Sequence, residues 1–337
     1  MNLTLFDYSI VISCLLSFFF TCYAMNKLIV KMLQSDICGI DVNKLNKPKI
    51  PEMGGLAGIM GFSLGLILTL GIVKFFDYMD EIPALTSISV ICIASMIGLL
   101  DDISILGRKE KAWFISFASL PIIISQVGLP EINGIFFILD FSTNPFLFWL
   151  ILVPLGVTGC ANALNMSAGY NGLESGQMVI ISFSLLLISI LDDVSFSILI
   201  IYSAVLGSCS ALFLFNKYPA KIFIGDIGTL GFGSLIAVLT VMSGHIIYGI
   251  ICIVPTFYEL FSTIKYSLKG VERREACMNP TIDSSGIIKP VEGSEDYTLA
   301  FLILSRKDLN EKNLVYTILG LYLISGFLAI ALFYFFN

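Results

Sequence analysis

The sequence predicts an all-α integral membrane protein of about ten transmembrane helices, folded as one polytopic membrane domain over residues 1–337. Three observations predict it. Only 13% of the residues are charged, about half of the roughly 25% usual in soluble domains. Hydrophobic residues make up 57% of the chain and the mean hydropathy is +0.91. Apolar runs of about 20 residues, the length that crosses a bilayer as helix, recur along the whole chain.

In order, these runs are 8–30, 54–73, 84–100, 113–129, 146–163, 176–191, 196–215, 228–243, 245–268 and 314–336. The first is too long for a signal peptide and lacks a small-residue cleavage site, so it reads as a retained helix. The eight cysteines are scattered without a CxxC pair, which fits neither a zinc site nor a disulfide framework and marks them as packing residues. His245, the single histidine, stands at the loop where the ninth run begins and reads as an interfacial residue rather than a ligand. No internal repeat is evident, so the inverted-repeat signature of many transporters is missing.

Ten spans create two sets of loops. All of the 19 basic residues except Lys74 fall in or beside the loops that follow odd-numbered spans. The positive-inside rule then places those loops in the cytoplasm of a cell-membrane protein, with both termini outside. The polar motifs sort to the same side: "GIDVNKLNKPKIPEMGG" (39–55), "LLDDISILGRKEK" (99–111), "NALNMSAGYNGLESGQ" (162–177), "FNKYPAKIFIGDIGTLGFG" (215–233) and a long last loop, 269–313. A second acidic pair, Asp192-Asp193, lies on the opposite face without basic partners and reads as a solvated turn.

Acids at a membrane boundary are costly and point to function. Asp101, Asp102 and Asp226 fall at one depth, and a single acid would suffice as a helix cap. Three are better explained by a divalent cation with hard oxygen ligands; magnesium keeps several waters and is held by one or two protein groups plus phosphate oxygens. Arg108, Lys109, Lys111, Arg273 and Arg274 supply phosphate-binding cations on that face, although topology alone would also place positive charge there. Asn162, Asn165 and Asn171 offer donors and acceptors for a sugar or a base edge, and Gly169 and Gly172 permit turns and close backbone approach. Tyr170 reads as either a stacking ring or an interfacial anchor.

These motifs, in this order, resemble the polyprenyl-phosphate N-acetylhexosamine-1-phosphate transferases over nearly the whole chain. The residues that carry the likeness are "GIDVNK", "IPEMGG", "GLLDD" with Lys111 nine residues beyond the second aspartate, "NALNMSAGYNGLESGQ" and "FIGDIGTLGFG". The fourth motif is similar to the eukaryotic and archaeal branch, which uses UDP-GlcNAc and dolichyl phosphate, and a short hairpin is expected in the last loop. In the eukaryotic pattern two arginines are separated by one residue, whereas Arg273 and Arg274 are adjacent and a few positions early, and which of them reaches phosphate is left open.

The resemblance implies that Asp226 and Asn165 bind Mg²⁺, or Mn²⁺, on the donor diphosphate. Asp101, Asp102 and Lys111 are then catalytic residues: the two aspartates line the cation site and position the lipid phosphate, and Lys111 with one arginine stabilises diphosphate oxygens. Glu52, Asn162, Gly169, Asn171 and Glu174 are implied substrate contacts, Glu174 having the alternative of a structural acid. The implied partners are UDP-GlcNAc, a polyprenyl (dolichyl) phosphate, the lipid bilayer and a second copy of the chain, with no nucleic acid. The implied reaction gives GlcNAc-diphosphate-lipid and UMP, the first step of lipid-linked oligosaccharide assembly. Its alternatives are the same chemistry with another UDP-HexNAc or with undecaprenyl phosphate. A cation-coupled transporter of an anionic solute is the non-enzymatic rival; it predicts ionisable groups at mid-membrane, whereas here they gather at one interface.

Overall fold

A computed structural model describes residues 5–76, 80–104, 106–270, 280–291 and 298–336. Eight of its helices are long and apolar enough to cross a membrane, and a bent pair makes a ninth. The chain is a multi-pass membrane protein. The straight spans are α1 (Leu5–Gln34), α2 (Gly55–Lys74) and α3 (Ile82–Ile103). The run expected at 113–129 is divided into α4 (Arg108–Ser116), a 3₁₀ turn at Phe117–Ser119 and α5 (Leu120–Ser125). Pro121 accounts for the break, because it lacks an N–H and its ring crowds the carbonyl of residue 117.

The next span is built from α6 (Pro145–Leu147), a π-helical turn at Phe148–Leu152 and α7 (Val153–Met166). It is followed by α8 (Leu173–Leu191), α9 (Phe196–Asn216) and α10 (Gly225–Met242). The run expected at 245–268 bends by 61° between α11 (Ile246–Cys252) and α12 (Phe257–Leu268), with Pro255 in the intervening turn. A short α13 (Leu299–Leu304) precedes the final span, α14 (Glu311–Phe336).

Three small antiparallel sheets decorate the ends of the bundle. Strand β1 (Cys38–Ile40) pairs with β2 (Lys49–Pro51), and β3 (Glu131–Asn133) with β4 (Ile138–Asp140). In the last loop β5 (Thr281–Ile282) pairs with β6 (Ile287–Lys289), which also pairs with β7 (Leu309–Asn310).

Helix α10 is the hub. Every residue from Ile227 to Met242 is buried, because lipid tails give no hydrophobic drive for helix association and close packing must supply it. The glycines of "GTLGFG" and the residue before them provide that packing against three neighbours. A Cβ on Gly228 would fall 2.9 Å from the Gly55 Cα of α2, one on Gly231 2.1 Å from Ser95 Oγ of α3, and one on Gly233 2.7 Å from the Ala161 Cα of α7. In the reverse direction, a Cβ on Gly98 of α3 would fall 2.4 Å from the backbone oxygen of Asp226.

At the far end of the bundle the structure departs from the expectation for His245 and Asp192. His245 is buried; one ring nitrogen lies 3.2 Å from Ser189 Oγ and the other 3.0 Å from Asp192 Oδ2. Burial holds the imidazole below its ordinary pKa, with Asp192 opposing. The turn is therefore tied to the helices by its acid, a pairing that residues 53 apart do not reveal in a linear reading.

The α3–α10 contact generates a first prediction. Gly98→Ala is expected to destabilise the protein by roughly 1–3 kcal/mol through overpacking, read as a lowered Tm in detergent micelles. Gly71→Ala, with no neighbouring atom within 4 Å of the added Cβ, is expected to leave Tm unchanged.

Candidate active site

The motif loops converge at the end of the bundle that carries the N-terminus of α10. The last turn of α3 presents Asp101 and Asp102, α4 presents Lys111, and the last turn of α7 presents Asn165. Lys111 Nζ donates to Asp101 Oδ2 at 2.8 Å and to Asn165 Oδ1 at 3.1 Å, and pairs with the Asp226 carboxylate. Asn165 Nδ2 in turn donates to Asp226 Oδ1 at 2.6 Å and to Thr229 Oγ1 at 2.9 Å. Burial alone would lower the Lys111 pKa, but Asp226 and Asp101 outweigh it and hold the ammonium above its usual value.

Asp102 has a different task from its neighbour. Its oxygens accept the backbone N–H groups of Asp226 at 2.8 Å and Ile227 at 3.1 Å. These are orphan donors at the positive end of a helix dipole, so Asp102 caps α10 from another helix. Gly225 makes this approach possible: its φ is +76° and a Cβ there would lie 2.7 Å from Asp102 Oδ2. Both carboxylates of the pair thus act on Asp226, one through Lys111 and one through the backbone.

The donor set suits a divalent cation. Carboxylate oxygens of Asp101 and Asp226 and the amide oxygen of Asn165 converge on one positive charge, the Lys111 ammonium. No group of three or more His, Cys, Asp or Glu forms a cation cage among the described residues.

Beside this cluster lies the loop between α7 and α8. The Asn171 N–H donates to Glu311 Oε1 at 2.8 Å, and its side chain donates to Asp41 Oδ2 at 2.9 Å. Asn43 Nδ2 donates to the Gly169 carbonyl at 2.8 Å. Lys44 bridges Asp41, at 3.1 Å, and Glu311. Asp41 and Lys44 fall within "GIDVNK", where nothing local in the sequence marks either for a role. The only signal for Glu311 was an acid opening the last span.

Two cavities flank the loop. One, of about 170 Å³, is lined by Asn43, Gly169, Tyr170, Gln177 and, from the last loop, Pro280 and Phe301. Gln177 Nε2 and Asn43 Oδ1 are buried without a hydrogen-bond partner among the described residues, although the opposite ends of both amides are engaged by Ser167 and Gly169. The other, of about 520 Å³, is mostly apolar and runs from Ala112 and Asn162 past Val157 and Ile236 to Ile246. Met166, Thr256 and Glu259 face both cavities.

The remaining sequence-derived residues are placed as follows. Asn162 lines the large cavity and its Nδ2 bonds back to the Thr158 carbonyl at 2.8 Å. Glu174 is buried, and its Oε2 has no hydrogen-bond partner among the described residues. Glu52 follows β2 and is partly buried; burial, and then repulsion from Asp102, raises its carboxyl pKa. Arg273 and Arg274 lie outside the described residues.

A raised acid contributes stability that is present below its unfolded pKa and lost as pH rises through its folded value. Glu52→Gln is therefore expected to raise Tm at pH 7 relative to the parent. The difference should vanish near pH 4, where thermal unfolding of both proteins checks it.

The sequence signature of glycosyl transferase family 4 matches residues 82–244. A Methanocaldococcus jannaschii protein named as a glycosyltransferase is 33% identical over 93% of this chain and 91% of its own length. A Saccharolobus solfataricus protein named as a UDP-N-acetylglucosamine–dolichyl-phosphate N-acetylglucosaminephosphotransferase is 30% identical, covering 96% of this chain and 97% of its own. A Dictyostelium discoideum protein of the same name is 28% identical over 62% of this chain and 60% of its own.

Proposed function

The chain belongs to glycosyl transferase family 4, and from that membership we propose that it transfers GlcNAc-1-phosphate from UDP-GlcNAc to a dolichyl-type polyprenyl phosphate. The products are GlcNAc-diphosphate-lipid and UMP, and the reaction opens lipid-linked oligosaccharide assembly. The observation that carries the reading is the cluster of Lys111, Asp101, Asn165 and Asp226 together with a mostly apolar 520 Å³ cavity whose lining includes Ala112 and Met166, the residues that directly follow Lys111 and Asn165. Phosphate chemistry and a lipid tail need that combination. The names of the Saccharolobus and Dictyostelium relatives support the same donor and acceptor.

The polyprenyl tail occupies the apolar cavity between α7, α10 and α11, and its phosphate reaches Lys111 past Ala112 and Asn162. The donor lies on the side of Gly169 and Asn171, where the unpaired Gln177 and Asn43 atoms offer one donor and one acceptor to its polar groups. Asp226 and Asn165 would hold Mg²⁺, or Mn²⁺ in its place, which when bound neutralises charge on the donor diphosphate.

A phosphate monoester has its second pKa near 6, so the lipid phosphate is largely dianionic at neutral pH and needs no general base. One of its oxygens attacks the β-phosphorus directly, and the bond to UMP breaks. Lys111 stabilises the charge spread over the phosphoryl oxygens. Asp101 aims that ammonium, and Asp102 holds Asp226 in place through the helix backbone. The basic residues of its loops support a cytoplasmic position for this face, the side on which the nucleotide sugar would arrive.

Purified protein, radiolabelled UDP-GlcNAc and dolichyl phosphate with Mg²⁺ are expected to yield a lipid-extractable GlcNAc diphosphate. Excess UMP should suppress it, and EDTA should abolish it until Mg²⁺ is restored. Asp226→Asn and Lys111→Met are each expected to lower kcat/KM by about 10²–10³, the scale of removing one charge-stabilising group. Binding of UDP-sugar with no lipid product from GlcNAc, GalNAc or other HexNAc donors would overturn the proposal in favour of transport.

A further inference from the structure

The loop that carries Gly169 and Asn171 has little reason of its own to hold one shape. Two of its residues, Gly169 and Gly172, sit at φ of +124° and +90°, a region in which glycine has no intrinsic preference for one basin over its mirror image. Asn216 of α9 accepts the Gly172 N–H at 3.1 Å, and two more distant segments hold the Gly169–Asn171 stretch. From the first loop, Asp41 takes the Asn171 side chain at 2.9 Å and Asn43 takes the Gly169 carbonyl at 2.8 Å. From the first turn of α14, Glu311 takes the Asn171 backbone N–H at 2.8 Å.

Lys44 joins these two segments. It pairs with Asp41 at 3.1 Å and with Glu311, and its ammonium stands 4.3 Å over the Tyr218 ring, a favourable cation–π placement. Asp41, Asn171 and Glu311 are each no more than 3% exposed. Breaking one partner of such a buried set leaves an uncompensated charge, so the assembly holds together or fails together.

We infer that Asp41, Lys44 and Glu311 form a clasp of positioning residues that presents the 169–172 loop to the nucleotide half of the donor. None of the three touches the Lys111–Asp226 cluster by any hydrogen bond or ion pair among the described residues. Loosening the clasp should therefore weaken nucleotide binding while leaving the chemical step intact. The inference rests on the donor reading proposed above.

The test separates KM from kcat in the radiolabelled assay and adds the inhibition constant of UMP, which carries the base and ribose but no sugar. Lys44→Met is expected to raise both the KM for UDP-GlcNAc and the UMP constant about tenfold with kcat within about threefold, the pattern of lost uniform binding. Lys44→Arg, which keeps the charge, should restore both constants. Glu311→Gln, which keeps volume and the acceptor for Asn171, carries the same readout if Lys44→Met does not fold. Unchanged KM and UMP constants, whatever happens to kcat, would overturn the clasp, as would a Lys44→Arg enzyme as impaired as Lys44→Met. Failure of the parent to make any lipid product would instead remove the function reading beneath it.

Discussion

The active face depends on how the N-terminus of α10 is held. Helix α10 is buried from Ile227 onward, and its first N–H groups have no partner within the helix. Asp102 reaches across from α3 and accepts two of them. That bond fixes the backbone of Asp226, and Asp226 with Asp101 and Asn165 fixes Lys111. The reactive cluster is thus an extension of a capping requirement, and glycine contacts to α2, α3 and α7 keep the capped helix from shifting.

The division of labour around that helix is electrostatic. Rigid spans carry the acids and the amide, whereas the cation comes from α4, a nine-residue helix separated from the rest of its span by a 3₁₀ turn. Lys111 keeps two nearby carboxylates, Asp101 and Asp226, from repelling each other. Under the proposed function the oxygens of Asp101, Asn165 and Asp226 around this lysine would serve a divalent ion, so one cluster would be balanced either by its own ammonium or by an added cation.

Much of this was legible in the sequence. The long apolar runs located the straight spans. The acids and asparagines at one depth, Asp101, Asp102, Asn165 and Asp226, are brought together as their motifs implied. What escaped a linear reading was non-local. Asp41 and Glu311 meet Asn171 from 130 and 140 residues away, Lys44 joins Glu311 across 267 residues, and a charge that needs a distant partner looks locally like any other topological charge. The β-strands are two or three residues long, too short to impose an alternating pattern. Pro121 and Pro255 were visible, but hydropathy averages over twenty residues conceal the breaks they cause.

The wall between the two cavities is made of the same side chains on both sides: Met166, Thr256 and Glu259. A residue with two faces has two fits to satisfy, so fewer substitutions are acceptable there than at a position facing one cavity. Met166 has the least freedom, since it directly follows Asn165 in the chain. Variation in this protein's relatives should therefore accumulate in the outward walls of each cavity, and change at the partition should come only in concert with change on both sides.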